Sequence, residues 1–96
     1  MKLNIEVTYQ TGEVATYTAA PPEWQKWEQK TGFTIQQAEE KIGISDLLFL
    51  AYNAMKRESA GKPVKSYDIW CEGVADIGAG NADPKVTPSE VSVEYL

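Results

Sequence analysis

SDLLFLAYNAMKRESAG, residues Ser45 to Gly61, is the stretch around which the rest of the chain is organised. Leu47, Leu48, Ala51, Ala54 and Met55 follow the i, i+3, i+4, i+7, i+8 spacing of one helix face. Phe49, Leu50 and Tyr52 widen that face until the first two turns are apolar nearly all round, the pattern of a helix held inside a domain or between subunits. Ser45 is placed to cap the first turn, and Asp46 stands where the helix dipole favours negative charge. Lys56 and Arg57 complement the other end, Gly61 suits a left-handed stop and Pro63 blocks continuation. At about 1.5 Å per residue the helix spans roughly 24 Å, about the width of a small domain.

Working outward, Leu3, Ile5, Val7 and Tyr9 alternate with polar residues, which predicts a half-buried strand. Gln10 to Glu13 is a turn with Gly12 supplying positive φ, and Val14 to Thr18 is the returning strand. Two strands alone are marginal in water, so this hairpin must lie on helices or gain a third strand. Pro21 and Pro22 open a helix that runs to about Thr31, with Trp24 and Trp27 on one face and Gly32 as its stop. Thr34 to Gln37 matches a capping box for a short helix carrying Ile35, Ala38 and Ile42. Gly43 ends that helix, Ile44 packs back and Ser45 starts the central one. Ser66 caps a further helix in which Tyr67, Trp70, Val74 and Ile77 form a stripe spaced three, four and three, ending near Ile77. Gly78 to Pro84 has a linker's composition. Glu90 to Leu96 alternates again, as a third strand on the hairpin edge or as an arm that orders on a partner. The expected fold is therefore α+β: a globular unit over residues 1–78, with an N-terminal antiparallel hairpin packed on three or four helices, and a linker and arm over 79–96.

With 96 residues, 43% of them apolar, one domain with a modest core is expected. The net charge of −5 leaves no basic surplus to displace counterions from nucleic acid, and it disfavours an anionic membrane surface. The sequence holds no apolar run of membrane-spanning length, and its start, MKLNIEVTYQ, has no signal-peptide core, so a cytoplasmic setting is expected. The single Cys71 excludes an internal disulfide. Histidine, the commonest general base and zinc ligand, is absent.

The remaining candidates for chemistry are sparse. Cys71 flanks an apolar stripe with no histidine to activate it and reads as core filler. Glu39 and Glu40, and the i, i+4 pair Glu72 and Asp76, read as solvated helix faces rather than acid–base pairs. Gly78 to Asn81 lacks the Gly-Lys-Ser/Thr that completes a phosphate loop. No nucleophile, base and oxyanion donor assemble, so no catalytic residue, cofactor or metal is assigned and an enzyme is not expected. Three tryptophans plus Tyr52 and Tyr67 exceed what a small interior is expected to hold, and surplus aromatics are typical interface anchors. Trp24, Trp27, Tyr52 and Trp70 are accordingly the candidate partner-binding residues.

The order of elements resembles a known family. Tyr-x-Thr-Gly (Tyr9 to Gly12) is followed by a helix with Trp24, Trp27 and Glu28. Then come the Leu-Leu-x-Leu-Ala-Tyr helix (Leu47 to Tyr52), ending in Lys56 and Arg57, and Gly-Lys-Pro-Val-Lys-Ser-Tyr-Asp-x-Trp (Gly61 to Trp70), leading to Val74. Over residues 3 to 77 this is similar to the small tail assembly chaperones of long-tailed, siphovirus-type bacteriophages. Tyr67 stands where Phe is more usual, and the segment after Ile77 has no clear counterpart. The resemblance implies a non-enzymatic factor in the host cell cytoplasm that binds the tape-measure protein, keeps it from aggregating and helps recruit tail-tube subunits. It also implies, for many members, a longer frameshifted form. A structural virion protein of the tail or head–tail connector, and a small regulator of a host factor, are the alternatives. Homo-oligomerisation is left open.

Overall fold

The computed structural model describes residues 2–80. Strand β1 (Leu3–Tyr9) and strand β2 (Val14–Ala19) form the expected hairpin. They pair in antiparallel register from Leu3 opposite Ala19 to Thr8 opposite Val14. Gly12 takes φ +96° in the turn, and its N–H reaches the Tyr9 carbonyl at 2.9 Å. Ile5 and Val7 are fully buried, so the alternation in β1 sets the core face as its sequence indicates. Asn4, Glu6, Thr8, Thr16 and Thr18 occupy the opposite face, where Thr18 Oγ1 donates to Asn4 Oδ1 across the strands at 2.8 Å.

The helices cover one face of the sheet: α1 (Pro21–Thr31), α2 (Ala38–Lys41) entered through a 3-10 turn at Ile35–Gln37, α3 (Ile44–Glu58) and α4 (Tyr67–Glu72). Helix α3 is the central helix, and it starts one residue earlier than its sequence suggests. Ser45 does not cap it. Gly43 is the N-cap, and the Asp46 carboxylate accepts the Gly43 N–H at 2.9 Å, so Asp46 does the capping from inside the first turn. Ile44 therefore belongs to the helix and points outward, 60% exposed, instead of packing back. Leu47, Leu50, Ala51, Tyr52 and Ala54 are its buried residues. Ala60 and Gly61 both take positive φ, +53° and +85°, and stop the helix where Gly61 is expected to.

The segment after Gly73 differs from the expected helix. Helix α4 ends at Glu72, and Val74–Gly80 is strand β3, antiparallel to β1, in a sheet ordered β2-β1-β3. The register shifts between Thr8 and Tyr9: Tyr9 lies opposite Val74 but Thr8 opposite Asp76. This β-bulge inserts Ala75 and puts Val74 and Ile77, three residues apart, on one side of the strand. Spacing by three is also what a helix needs, so the stripe Tyr67, Trp70, Val74, Ile77 fits both structures up to the break at Gly73. Gly78, Ala79 and Gly80 complete β3 and are not linker. The rest of the expected linker, and the strand or arm at Glu90 to Leu96, lie outside the described residues.

The core joins Ile5 and Val7 to Trp24, Trp27, Leu47, Leu50, Ala51, Tyr52 and Trp70, with Ala19 and Ala38 beside them. Trp24 and Trp27 meet edge to face, centroids 5.5 Å apart and planes at 83°. Their indole nitrogens differ. Trp27 Nε1 donates to Asp46 Oδ1 at 2.9 Å, whereas Trp24 Nε1 is buried without a hydrogen-bond partner among the described residues. Trp27→Phe is therefore expected to cost about 1–2 kcal/mol more than Trp24→Phe, because only the first removes a bond to a charged acceptor. Urea midpoints of the two variants at unchanged slope measure that difference.

Candidate functional site

All four predicted partner-binding residues lie inside the protein. Trp27 has no exposed surface, Trp24 has 2%, Trp70 5% and Tyr52 8%. None of them stands on the surface as an interface anchor. The interior holds them because the residues around them are small, with Ala19, Ala38 and Ala51 in the same cluster. Trp70 and Tyr52 nevertheless support a site. Their rings meet tilted at 59° with centroids 5.5 Å apart, and Tyr9 meets Trp70 edge to face at 6.2 Å.

These aromatics back a cleft of about 500 Å3 at the turn end of the hairpin. Four parts of the chain form it. The hairpin contributes Tyr9, Gln10, Thr11, Glu13 and Tyr17; α3 contributes Met55; the α3–α4 connection contributes Pro63, Val64 and Lys65, with Trp70 at the floor. Local interactions fix each wall. Tyr9 and Tyr17 share a hydrogen bond between their hydroxyls at 2.7 Å, and Trp70 Nε1 donates to the Tyr9 oxygen at 3.2 Å. The Tyr52 hydroxyl donates to the Lys65 carbonyl and pins the connection against α3. The Gln10 N–H donates to the Gly73 carbonyl at 2.8 Å, tying the turn to the end of α4.

Burial, and then its bond to Tyr9, push the Tyr17 phenol well above its ordinary value of 10. Tyr67, outside the cleft, is pushed up to about 12, first by burial and then by the Cys71 thiol. The walls offer aromatic and aliphatic surface, and Glu13 and Lys65 place one charge of each sign among the lining residues. That composition offers apolar contact area with a polar rim.

The other candidates fall elsewhere. Glu39 and Glu40 are exposed on α2. Glu72 ends α4 and Asp76 lies in β3, so the expected i, i+4 helix pair does not form. Cys71 is half-buried. Among the described residues no three His, Cys, Asp or Glu side chains gather to hold a metal ion, and no helix is long and apolar enough to cross a membrane. Tyr9, Tyr17, Met55 and Val64 are the cleft residues that sequence reasoning missed. A partial signal for two of them existed: Tyr9 and Tyr17 are odd-numbered members of a hairpin whose odd positions face the core, but Tyr17 stands opposite Ile5, so parity gives them a shared face and not their contact.

One buried charge is also built into the framework. Glu23 is fully buried. Its carboxylate accepts the Ala20 N–H at 2.9 Å and two Arg57 donors, Nε and Nη2, each at 2.9 Å. Burial raises its pKa, but the hydrogen bonds from Arg57 and Ala20 outweigh burial and hold it below the ordinary 4.5. Arg57 Nη2 also reaches the Thr18 carbonyl at 3.3 Å, so the pair ties α1, α3 and the end of β2 together. No family model, no curated protein and no solved structure matches the chain.

Proposed function

We propose that the protein is a non-enzymatic tail assembly chaperone of a long-tailed bacteriophage. In this reading it acts in the host cell cytoplasm, takes apolar helical segments of the tape-measure protein into the aromatic cleft, keeps them from aggregating and helps recruit tail-tube subunits. The observation that carries the binding half of this reading is the neutral, aromatic-walled cleft, open to solvent and floored by Trp70. The family half rests on the resemblance spread over residues 3 to 77. The acidic balance of the chain would keep such a complex soluble.

The test is co-expression with the tape-measure protein of the same phage, followed by capture and by fractionation of assembled particles. Wild type is expected to keep the tape-measure protein in solution and to be missing from finished particles. Val64→Asp and Met55→Glu, both half-buried cleft positions, are expected to weaken capture by at least about tenfold while leaving the melting transition in place. Equal capture by the variants would remove the cleft from the reading. A fixed copy number of the chain in particles would replace the chaperone with a structural tail or connector protein.

A further inference from the structure

A second groove, of about 220 Å3, lies along β3 and shares no lining residue with the aromatic cleft. Ile44 and Leu48 from the start of α3, Cys71 from α4, and Val74 and Ile77 from β3 form its walls, with Asp76 as its one charged lining residue. Strand β3 ends the sheet among the described residues. The Tyr9 N–H bonds back to the Glu13 carbonyl, so the odd-numbered residues of β1 turn their polar groups to β2 and the even-numbered ones to β3. Asp76, Gly78 and Gly80 therefore turn theirs to β1, while the backbone groups of Ile77 and Ala79 point outward. The Asp76 carboxylate accepts the Ile77 N–H at 2.9 Å. The Ile77 carbonyl and both Ala79 groups have no strand beyond them among the described residues.

We propose that a second copy of this chain pairs on this edge, β3 against β3 in antiparallel register about a two-fold axis at Ile77. Two observations select a second copy. The first is that the strand is complementary to itself in this register. Ile77 meets Ile77 of the second copy and exchanges both backbone bonds with it, and Asp76 stands opposite Gly78, so no carboxylate faces its twin. The second is the match between the two grooves. Ile77 and Ala79 lie opposite Val7 and Ile5, on the helix side of the sheet, and antiparallel pairing keeps them on that side in both copies. The two helix layers then share one side of a continuous six-stranded sheet, and the grooves open onto each other, each covering the exposed Ile44 of the other. Asp76 opposes the pairing, because its carboxylate holds the Ile77 N–H that the second copy's carbonyl takes. An edge this short makes a small interface, which places the dimer at the weak end, with Kd about micromolar to millimolar. This inference does not rest on the chaperone reading.

Sedimentation equilibrium of the full chain, over a concentration series into the millimolar range, tests it. Wild type is expected to pass from monomer to dimer, with the Ala79 amide gaining exchange protection as concentration rises. Ala79→Pro removes an outward donor that the monomer does not use. Ile44→Glu puts a charge into the joined groove from an exposed position in the first turn of α3, where the helix dipole favours it. Each is expected to weaken the dimer at least about tenfold, with the melting transition and tryptophan fluorescence unchanged, and Asp76→Ala is expected to tighten it about tenfold. A wild type that stays monomeric throughout the series would overturn the proposal, as would Ala79 protection that is independent of concentration. Dimerisation unaffected by Ala79→Pro would put the contact elsewhere and overturn it as well.

Discussion

Ala51→Asp abolishes the cooperative unfolding transition, whereas Ser45→Asp, six residues away on the same helix, leaves it in place: this is the expected pair of results. Ala51 has no exposed surface and sits in the cluster with Trp27, Leu50 and Trp70. A carboxylate there has no cation named in the core to pair with, and burying it costs several kcal/mol after relaxation, with overpacking adding about 1–3 kcal/mol. A domain of this size is expected near the low end of the 5–15 kcal/mol range, so the penalty consumes most of its stability. Ser45 is exposed in the first turn of α3, where a negative charge meets the favourable end of the helix dipole. Circular dichroism melts of both variants decide the matter. A normal transition in Ala51→Asp would mean that the face of α3 carrying Ala51 is not the core.

The second large effect is expected at the Glu23–Arg57 pair, and its signature is a loss of stability that shrinks as pH falls. In wild type the folded pKa of Glu23 lies below its unfolded value of about 4.5. The pair therefore contributes stability that is complete above that value and is lost as pH falls through the folded pKa. Arg57→Ala removes the larger of the two hydrogen-bonding influences and leaves burial, the largest influence of all, opposed mainly by the Ala20 N–H. The carboxyl then ionises less readily than in wild type, so less stability is gained as pH rises through its titration. Arg57→Ala is thus expected to be clearly less stable than wild type at neutral pH, and the gap is expected to narrow on acidification toward pH 4. Glu23→Gln, which keeps an acceptor for the Ala20 N–H and removes the charge, is expected to lie between them at neutral pH. Urea titrations of the three proteins across pH measure the difference. A gap that does not change with pH would show that Arg57 acts through packing of its stem alone.

The hairpin and the central helix are legible in the sequence because local pattern and tertiary role agree there. Alternation in Leu3 to Tyr9 buries Ile5 and Val7, Gly12 supplies the turn, and the apolar width of Leu47 to Met55 matches a helix packed on a sheet and on two other helices. Strand β3 is not legible, because the bulge at Ala75 gives Val74 and Ile77 a spacing that a helix shares, and because its glycines argue against a strand. The placement of the tryptophans is hidden for a different reason. Counting aromatic volume predicts a surplus at the surface, but the alanines that make room for three indoles come from β2, α2 and α3, and only the fold brings them together. Glu23 looks like an ordinary acidic first-turn residue; its partner is 34 residues away, so nothing local marks it as buried. The cleft is legible only in part. Hairpin parity puts Tyr9 and Tyr17 on one face, but their contact, and the approach of Met55 and Val64, come from tertiary packing.

The middle position of β1 has a consequence for how the protein is made. The strand synthesised first has one neighbour that follows at once, β2, and another, β3, that is complete only when Gly80 has been added. The interval from Ala19 to Gly80 is 80 − 19 = 61 residues. At about 5–20 residues per second the ribosome needs roughly 3–12 s to cover it, while a hairpin closes in about 1–10 μs. For those seconds the nascent chain displays the inner edge of its central strand, and the sheet closes only once β3 has been made.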